Sequence, residues 1–194
     1  MVTLAAVTAS SDPPSAAQAR VVNAALELFA QHGVGGTSLQ MIADAIGVTK
    51  AAVYHQYRTK NEIIVAAAEV EVRQLETVLD AAEAEPDEAR ARDALLGGMV
   101  DLALARRHTA STILGDPVIA RLLAHHKPFR EVIDRLYRLL MRGDPSQPEA
   151  RVPAAMLTAA ISGAVMHPLV ADLDDDTLRP QLLHLARGFF DRPE

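Results

Sequence analysis

Cysteine is absent from all 194 residues, which removes disulfide frameworks and thiolate zinc sites and leaves nothing that argues for an oxidising compartment. Also missing is any uncharged apolar run of about 18 residues, so no segment is expected to span a bilayer. The opening stretch, MVTLAAVTASSDPP, lacks the basic region that starts a signal peptide, and the expected location is the cytoplasm. No strand-like alternation, internal repeat, Gly-rich phosphate loop or HExxH metal motif is found. What is present is 49% hydrophobic residues, ample for a core that folds without staples.

The net charge of −6 opposes nucleic-acid binding if taken as a total, but its distribution is uneven. Residues 1–62 carry four basic groups, Arg20, Lys50, Arg58 and Lys60, against four acidic ones. All of the excess acid therefore lies in residues 63–194, while three of the four N-terminal cations cluster between Lys50 and Lys60.

Residues 1–15, rich in Ser, Pro and Ala, have no helical period and read as a disordered tail. From Ala17, the apolar positions Val21, Val22, Ala25, Leu26 and Phe29 repeat at three and four, and Gly33 stands where a C-terminal cap belongs. Thr37 and Gln40 read as a capping box opening a short helix that Gly47 ends. Thr49 caps a third helix, Lys50 to Tyr57, and Thr59 with Glu62 opens a long fourth one to about Glu83. Further helical segments are expected near 87–107, 110–125, 127–142, 149–171 and 177–191, divided by Gly-Asp-Pro, His-Lys-Pro and a run of aspartates.

Two short helices joined across Gly47-Val48-Thr49 have the sequence shape of a helix-turn-helix, whose second helix enters the DNA major groove. The whole string GGTSLQMIADAIGVTKAAVYHQYRTKNEII resembles the TetR (tetracycline repressor) type of bacterial transcription regulator. The matching positions are Thr37, Ser38, Ile42, Ala43, Gly47, Val48, Thr49, Val53, Tyr54, Tyr57 and Lys60. Tyr57 departs from the family's usual phenylalanine, Ala51 from a frequent glycine, and Asn61 from a frequent acid. The resemblance is tight over about residues 18–65. It implies an all-α protein: a three-helix helix-turn-helix DNA-binding domain at 16–62, then a larger helical effector-binding and dimerisation domain at 63–194.

On the third helix, Val53 and Tyr57 share an inward face, while Lys50, Ala51, Ala52, Tyr54 and His55 cover the remainder. Lys50 can donate to guanine, Ala51 and Ala52 can touch a thymine methyl, and His55 can donate to a base edge or phosphate. By resemblance, Gln40 also reaches a base. Tyr54 and Lys60 are expected on phosphates, and Thr37, Ser38 and Thr49 present hydroxyls and free amides at helix starts.

Few cations are available, so tight binding calls for two copies. The stretch 154–166 is rich in small residues, and the resemblance implies that the last two helices pair with their symmetry mates. Ala160, Ala164, Leu178, Leu182, Leu185 and Phe189 are the expected homodimer interface. An apolar effector is expected in the middle region, with Met99, Leu102, His126, Phe129, Ile133 and Met156 as candidate lining. Adjacent His125 and His126 point about 100° apart on a helix, which argues against a shared metal. No cofactor is expected. The partners implied are a double-stranded operator, a small molecule of unknown identity and a second copy. Two alternatives remain: a TetR-like regulator acting constitutively or as an activator, and an all-helical small-molecule enzyme, for which no nucleophile-base spacing or cofactor motif exists.

Overall fold

The computed structural model describes residues 14–107, 123, 126–141, 144 and 146–189. Most of the expected tail and the expected helix at 110–125, with His125, lie outside the described residues. Those described form eight α-helices, one short 3₁₀ helix and no strand.

The first four helices are α1 (Ala16–Gly36), α2 (Leu39–Ile46), α3 (Lys50–Gln56) and α4 (Lys60–Glu83). Ser15 opens α1 with a reciprocal capping box to Gln18. Gly33 breaks its regular backbone, taking φ +69°, a conformation an L side chain rarely adopts, and a short helical turn to Gly36 follows the kink. Gly33 therefore ends the regular helix as expected, although the chain keeps winding for one more turn.

The cap of α2 differs from expectation. Ser38, not Thr37, accepts from the Met41 amide at 3.2 Å. Thr37 turns inward instead, 2% exposed, its hydroxyl shared between the carbonyls of Gly33 (2.9 Å) and Leu28 (3.1 Å). The expected box with Gln40 does not form, because the Gln40 amide donates to Asp44. Thr59 does cap α4, but Glu62 reaches back to the amide of Arg58 at 2.8 Å.

The next helices are α5 (Glu88–Ala105), α6 (Lys127–Leu140), α7 (Pro148–Ala164) and α8 (Asp175–Gly188), with a 3₁₀ turn at Pro168–Val170. The expected segment 149–171 is thus broken after Ala164. The aspartate run that reads as a separator is the start of α8: Asp174 caps it, and Asp175 and Asp176 sit in its first turn, where negative charge favours the helix dipole. Half-buried Arg107 holds the approach to α8, donating to the carbonyls of Leu173 (2.6 Å) and Val170.

Two apolar cores result. Val21, Val22, Ala25 and Phe29 of α1 meet Ile42 and Ala43 of α2, Val53 of α3, and Ile63, Ile64, Ala67 and Ala68 of α4. Further along α4, Val72 and Leu79 join Leu95, Leu96 and Val100 of α5, Val132 and Leu136 of α6, Leu157 and Ile161 of α7, and Leu178 and Leu182 of α8. Helix α4 thus runs through both cores, and Phe129 packs against each. Each fully buried large side chain contributes about 1.5–3 kcal/mol. Bidentate pairs set the angle of α8 on α5: Arg179 with Asp101 (2.6 and 2.9 Å) and Arg187 with Asp93 (2.5 and 2.9 Å). Being half exposed, these pairs orient more than they stabilise. Arg135 of α6 grips Asp80 (2.5 Å) and Glu83 (2.7 Å) at the far end of α4, and its hydrogen bond to Glu83 holds that carboxyl below its ordinary pKa. No described helix is long and apolar enough to cross a membrane.

Candidate nucleic-acid interface

The turn between α2 and α3 is built from local chemistry. Gly47 takes the left-handed conformation (φ 69°, ψ 36°), and its amide and that of Val48 return to the open carbonyls of α2, Val48 to Ala43 at 3.0 Å. Two residues later the Thr49 hydroxyl accepts from Ala52 at 3.2 Å, opening α3. Caps of this kind contribute about 1 kcal/mol each. The guanidinium of Arg20 donates to the Ile46 carbonyl at 3.1 Å and ties α1 to the end of α2.

Helix α3 is anchored by one fully buried side chain, Val53, with Tyr57 just beyond its end at 9% exposed. Burial, reinforced by the charge of Glu69, pushes the Tyr57 phenol above its ordinary pKa. Lys50, Ala51, Ala52, Tyr54 and His55 are all exposed. The Lys50 ammonium lies 5.7 Å from the Tyr54 ring centre, a cation–π contact that keeps both on one surface. The His55 ring contacts the Gln56 side chain at 3.4 Å.

Of the ten residues that the sequence marks for DNA, eight are brought to this exposed surface or its helix starts: Ser38, Gln40, Thr49, Lys50, Ala51, Ala52, Tyr54 and His55. Thr37 is buried with its hydroxyl engaged. Lys60 is half-buried, its ammonium donates to the Val34 carbonyl, and burial lowers its pKa. Sequence reasoning passed over Arg58, an exposed cation in the turn between Tyr57 and the Thr59 cap. Its place between a buried anchor and a helix cap was the available signal.

The residues expected to line an effector site do not form one cluster. Met99, Phe129 and Ile133 pack against the second core, and Leu102 is partly buried on α5. His126 precedes α6 with its side chain 9% exposed and Nε2 3.4 Å from a Glu69 oxygen, ion-pair range without hydrogen-bond geometry. Met156, 60% exposed, lies on the outer face of α7. An open cleft of about 290 Å³ between α6 and α7 is lined by Tyr137, Pro148, Arg151, Val152 and Ala155, none of them among the expected six.

The residues expected at a dimer contact divide as well. Ala160 and Leu185 (68% exposed) face outward. Leu178 and Leu182 are buried in the chain's own core, and Ala164 and Phe189 pack against it. The reason is that α7 and α8 each carry apolar residues on more than one side, and spacing alone does not say which side the monomer covers.

A capped helix, a left-handed glycine turn and an exposed second helix on a three-helix core, followed by a larger helical unit, define the class: a helix-turn-helix fold with an appended helical domain. Residues 21–67 match the family described as bacterial regulatory proteins, tetR family. The HTH-type transcriptional regulator AcrR of Shigella flexneri is 44% identical over 43 residues, which are 22% of this chain. The match spans only 20% of that protein's length. The fatty acid degradation regulator FadR from Bacillus halodurans superposes with a TM-score of 0.68 over 94% of this chain and 100% of its own, at 16% identity. AibR, solved with isovaleryl coenzyme A and operator DNA, superposes with a TM-score of 0.63 over 87% of this chain and 97% of its own, at 18% identity. At those identities the two structures speak to the fold alone. The likeness to the TetR family in sequence thus rests on the helix-turn-helix region, residues 21–67.

Proposed function

We propose that this protein is a transcriptional repressor that binds a pseudo-palindromic operator as a homodimer and is released by a small, largely apolar effector. The observation that carries the reading is α3: one buried valine fixes it to the core, and Lys50, Ala51, Ala52, Tyr54 and His55 stand exposed. A side-chain set of one cation, two methyl-sized groups and two amphipathic donors suits base edges and phosphates together. The α1–α3 unit, extended by the first turns of α4, reads DNA; the helices beyond carry the effector and the second copy.

Dimerisation is supported by α7. Its inner stripe, Ala150, Ala154, Leu157 and Ile161, is buried, yet its outer stripe, Val152, Met156, Ala159 and Gly163, is also apolar and stays exposed. A helix with a second apolar stripe left exposed opposite its buried one offers that stripe to a partner. Val152 (55% exposed), Met156 (60%) and Leu185 (68%) are the anchors of the proposed contact, with Ala160 beside them. Helix α4 passes from the reading unit into the second core, so an effector that shifts α5 or α6 against α4 alters the spacing of the two recognition helices. Such an effector binds the DNA-free dimer more tightly by the same factor by which it weakens operator binding.

The test is selection of bound duplexes from a random-sequence library. Enrichment of an inverted repeat whose half-sites lie roughly 34–36 Å apart, or a multiple of that, is expected. Selection that returned no repeat, or no binding at all, would remove the reading.

A further inference from the structure

We infer that Asp44 is a positioning residue for base reading: it holds the Gln40 amide by its NH₂ group, so that Gln40 selects adenine at one position of each half-site. The inference rests on the DNA-binding reading above and names a base that the operator should carry.

Gln40 stands in the first turn of α2, just past the Ser38 cap, and Asp44 follows one turn later. Both are exposed. They lie on the side of α2 away from Ile42, which is fully buried, and α2 packs directly against α3. The Asp44 carbonyl accepts from the Gly47 amide at 3.2 Å, so the backbone beneath the carboxylate is held at the turn that leads into α3. The pair therefore runs along the exposed side of α2 from its capped start to the edge of the surface that α3 presents.

Within the pair, Gln40 Nε2 donates to Asp44 Oδ1 at 2.8 Å. An ionised carboxylate can only accept a hydrogen bond, so the Gln40 amide can face Asp44 by its NH₂ and not by its oxygen. The N–H trans to the amide oxygen meets the carboxylate with the least repulsion from that oxygen. What stays free is the other edge of the amide: the carbonyl oxygen, which has no partner among the described residues, beside the second N–H. One acceptor next to one donor, in a fixed order, matches the N6 amino group and N7 of adenine. Guanine presents acceptors at both places, O6 and N7, and would set O6 against the amide oxygen with the Asp44 carboxylate close behind. Without Asp44 the amide can turn over and give its NH₂ to a keto oxygen, so the order of donor and acceptor is no longer imposed.

The experiment compares the wild type, Gln40→Ala, Asp44→Ala, Asp44→Glu and the Gln40→Ala/Asp44→Ala double variant. Each is measured on a duplex selected by the wild type and on all single-base variants of its half-site, and the thermal midpoint of each free protein is recorded. Gln40→Ala should relax one position, and that position should be adenine in the selected duplex. Asp44→Ala should reduce the preference for adenine over guanine at that same position by about tenfold. Loss of its negative charge should also strengthen binding to every duplex alike, which cancels when affinities are compared between duplexes. Asp44→Glu keeps an acceptor within reach and should keep most of the preference. The double variant should discriminate no less than Gln40→Ala alone. A pair that served only to stabilise α2 would move the midpoint and leave every base preference as it was, and that result overturns the inference. So does a guanine or thymine at the position that Gln40→Ala relaxes, or a further loss in the double variant, which would make Asp44 a reader in its own right. Failure of the wild type to select any duplex would instead overturn the DNA-binding reading, and this assignment with it.

Discussion

Lys50 and Lys60 bracket the same short helix, yet one ammonium is exposed above a tyrosine ring and the other is drawn to a carbonyl in the core. The contrast sets what each does when removed. Lys50→Ala should relax discrimination at one position of each half-site, costing about 1–3 kcal/mol per site, and leave folding untouched. Binding to single-base variants of the operator measures this, and an unchanged preference would place Lys50 off the base edges. Glu71 supplies a second expectation at this scale. It is 8% exposed on α4, burial raises its pKa, and Arg106 at 3.5 Å only partly offsets that. A carboxyl whose pKa is higher folded than unfolded binds more protons in the native state. Its contribution is therefore fully present below its unfolded pKa and is lost as pH rises through the folded value. Glu71→Gln should thus stabilise the protein at neutral pH relative to the wild type, since Arg106 keeps the Gln74 side chain and the Glu71 carbonyl as partners. The advantage should vanish below about pH 4, where the wild-type carboxyl is also neutral. Denaturation midpoints at the two pH values check it, and a constant difference would refute it.

Among the elements, the contact of α4 with α5 depends on one glycine of a pair. A methyl group at Gly98 would fall well inside contact distance of the Val78 side chain, whereas one at Gly97 meets nothing within 4 Å. Valine is stiff about its first torsion, so it yields poorly. Gly97→Ala should stabilise α5 by roughly 0.5–1 kcal/mol through helix propensity. Gly98→Ala gains the same propensity but overpacks, at about 1–3 kcal/mol, and should be destabilising on balance. Opposite shifts in thermal midpoint are the expected result; equal shifts would mean that α4 and α5 are not held this closely. At the same scale, the caps of α3 and α4 and the glycine that ends α2 were readable in advance, because each is decided within a turn of backbone. Ser38 displaced Thr37 as the cap of α2 because Thr37 found carbonyls on α1 that no local pattern announces.

For the whole molecule, the proposed dimer turns on which apolar face would hold a second copy. Met156→Glu together with Leu185→Glu should give monomers that keep their helicity, because both positions are exposed within the chain. Leu182→Glu should instead unfold the second core, since its side chain is 7% exposed and a buried unpaired carboxylate is strongly unfavourable. Sedimentation and circular dichroism separate the two results. An unchanged dimer in the double variant would move the interface away from α7 and α8.

The sequence by itself determined the helical class, the turn between α2 and α3, the inward role of Val53 and Tyr57, and the exposed set on α3. Each depends on periodicity and on groups within about four residues of one another, a range over which pattern and conformation are tightly linked. Only the tertiary structure decided which cations remain free and which apolar stripe is covered. Arg20 reaches Ile46 and Lys60 reaches Val34 across a separation of 26 residues in each case, so their availability is a property of packed helices and not of spacing. Likewise α7 offers two apolar stripes, and the choice between them was made by α5, α6 and α8 closing on one side. Local hydrogen bonds specify where helices begin and end; which residues are left for a partner is settled by what the rest of the chain has already used.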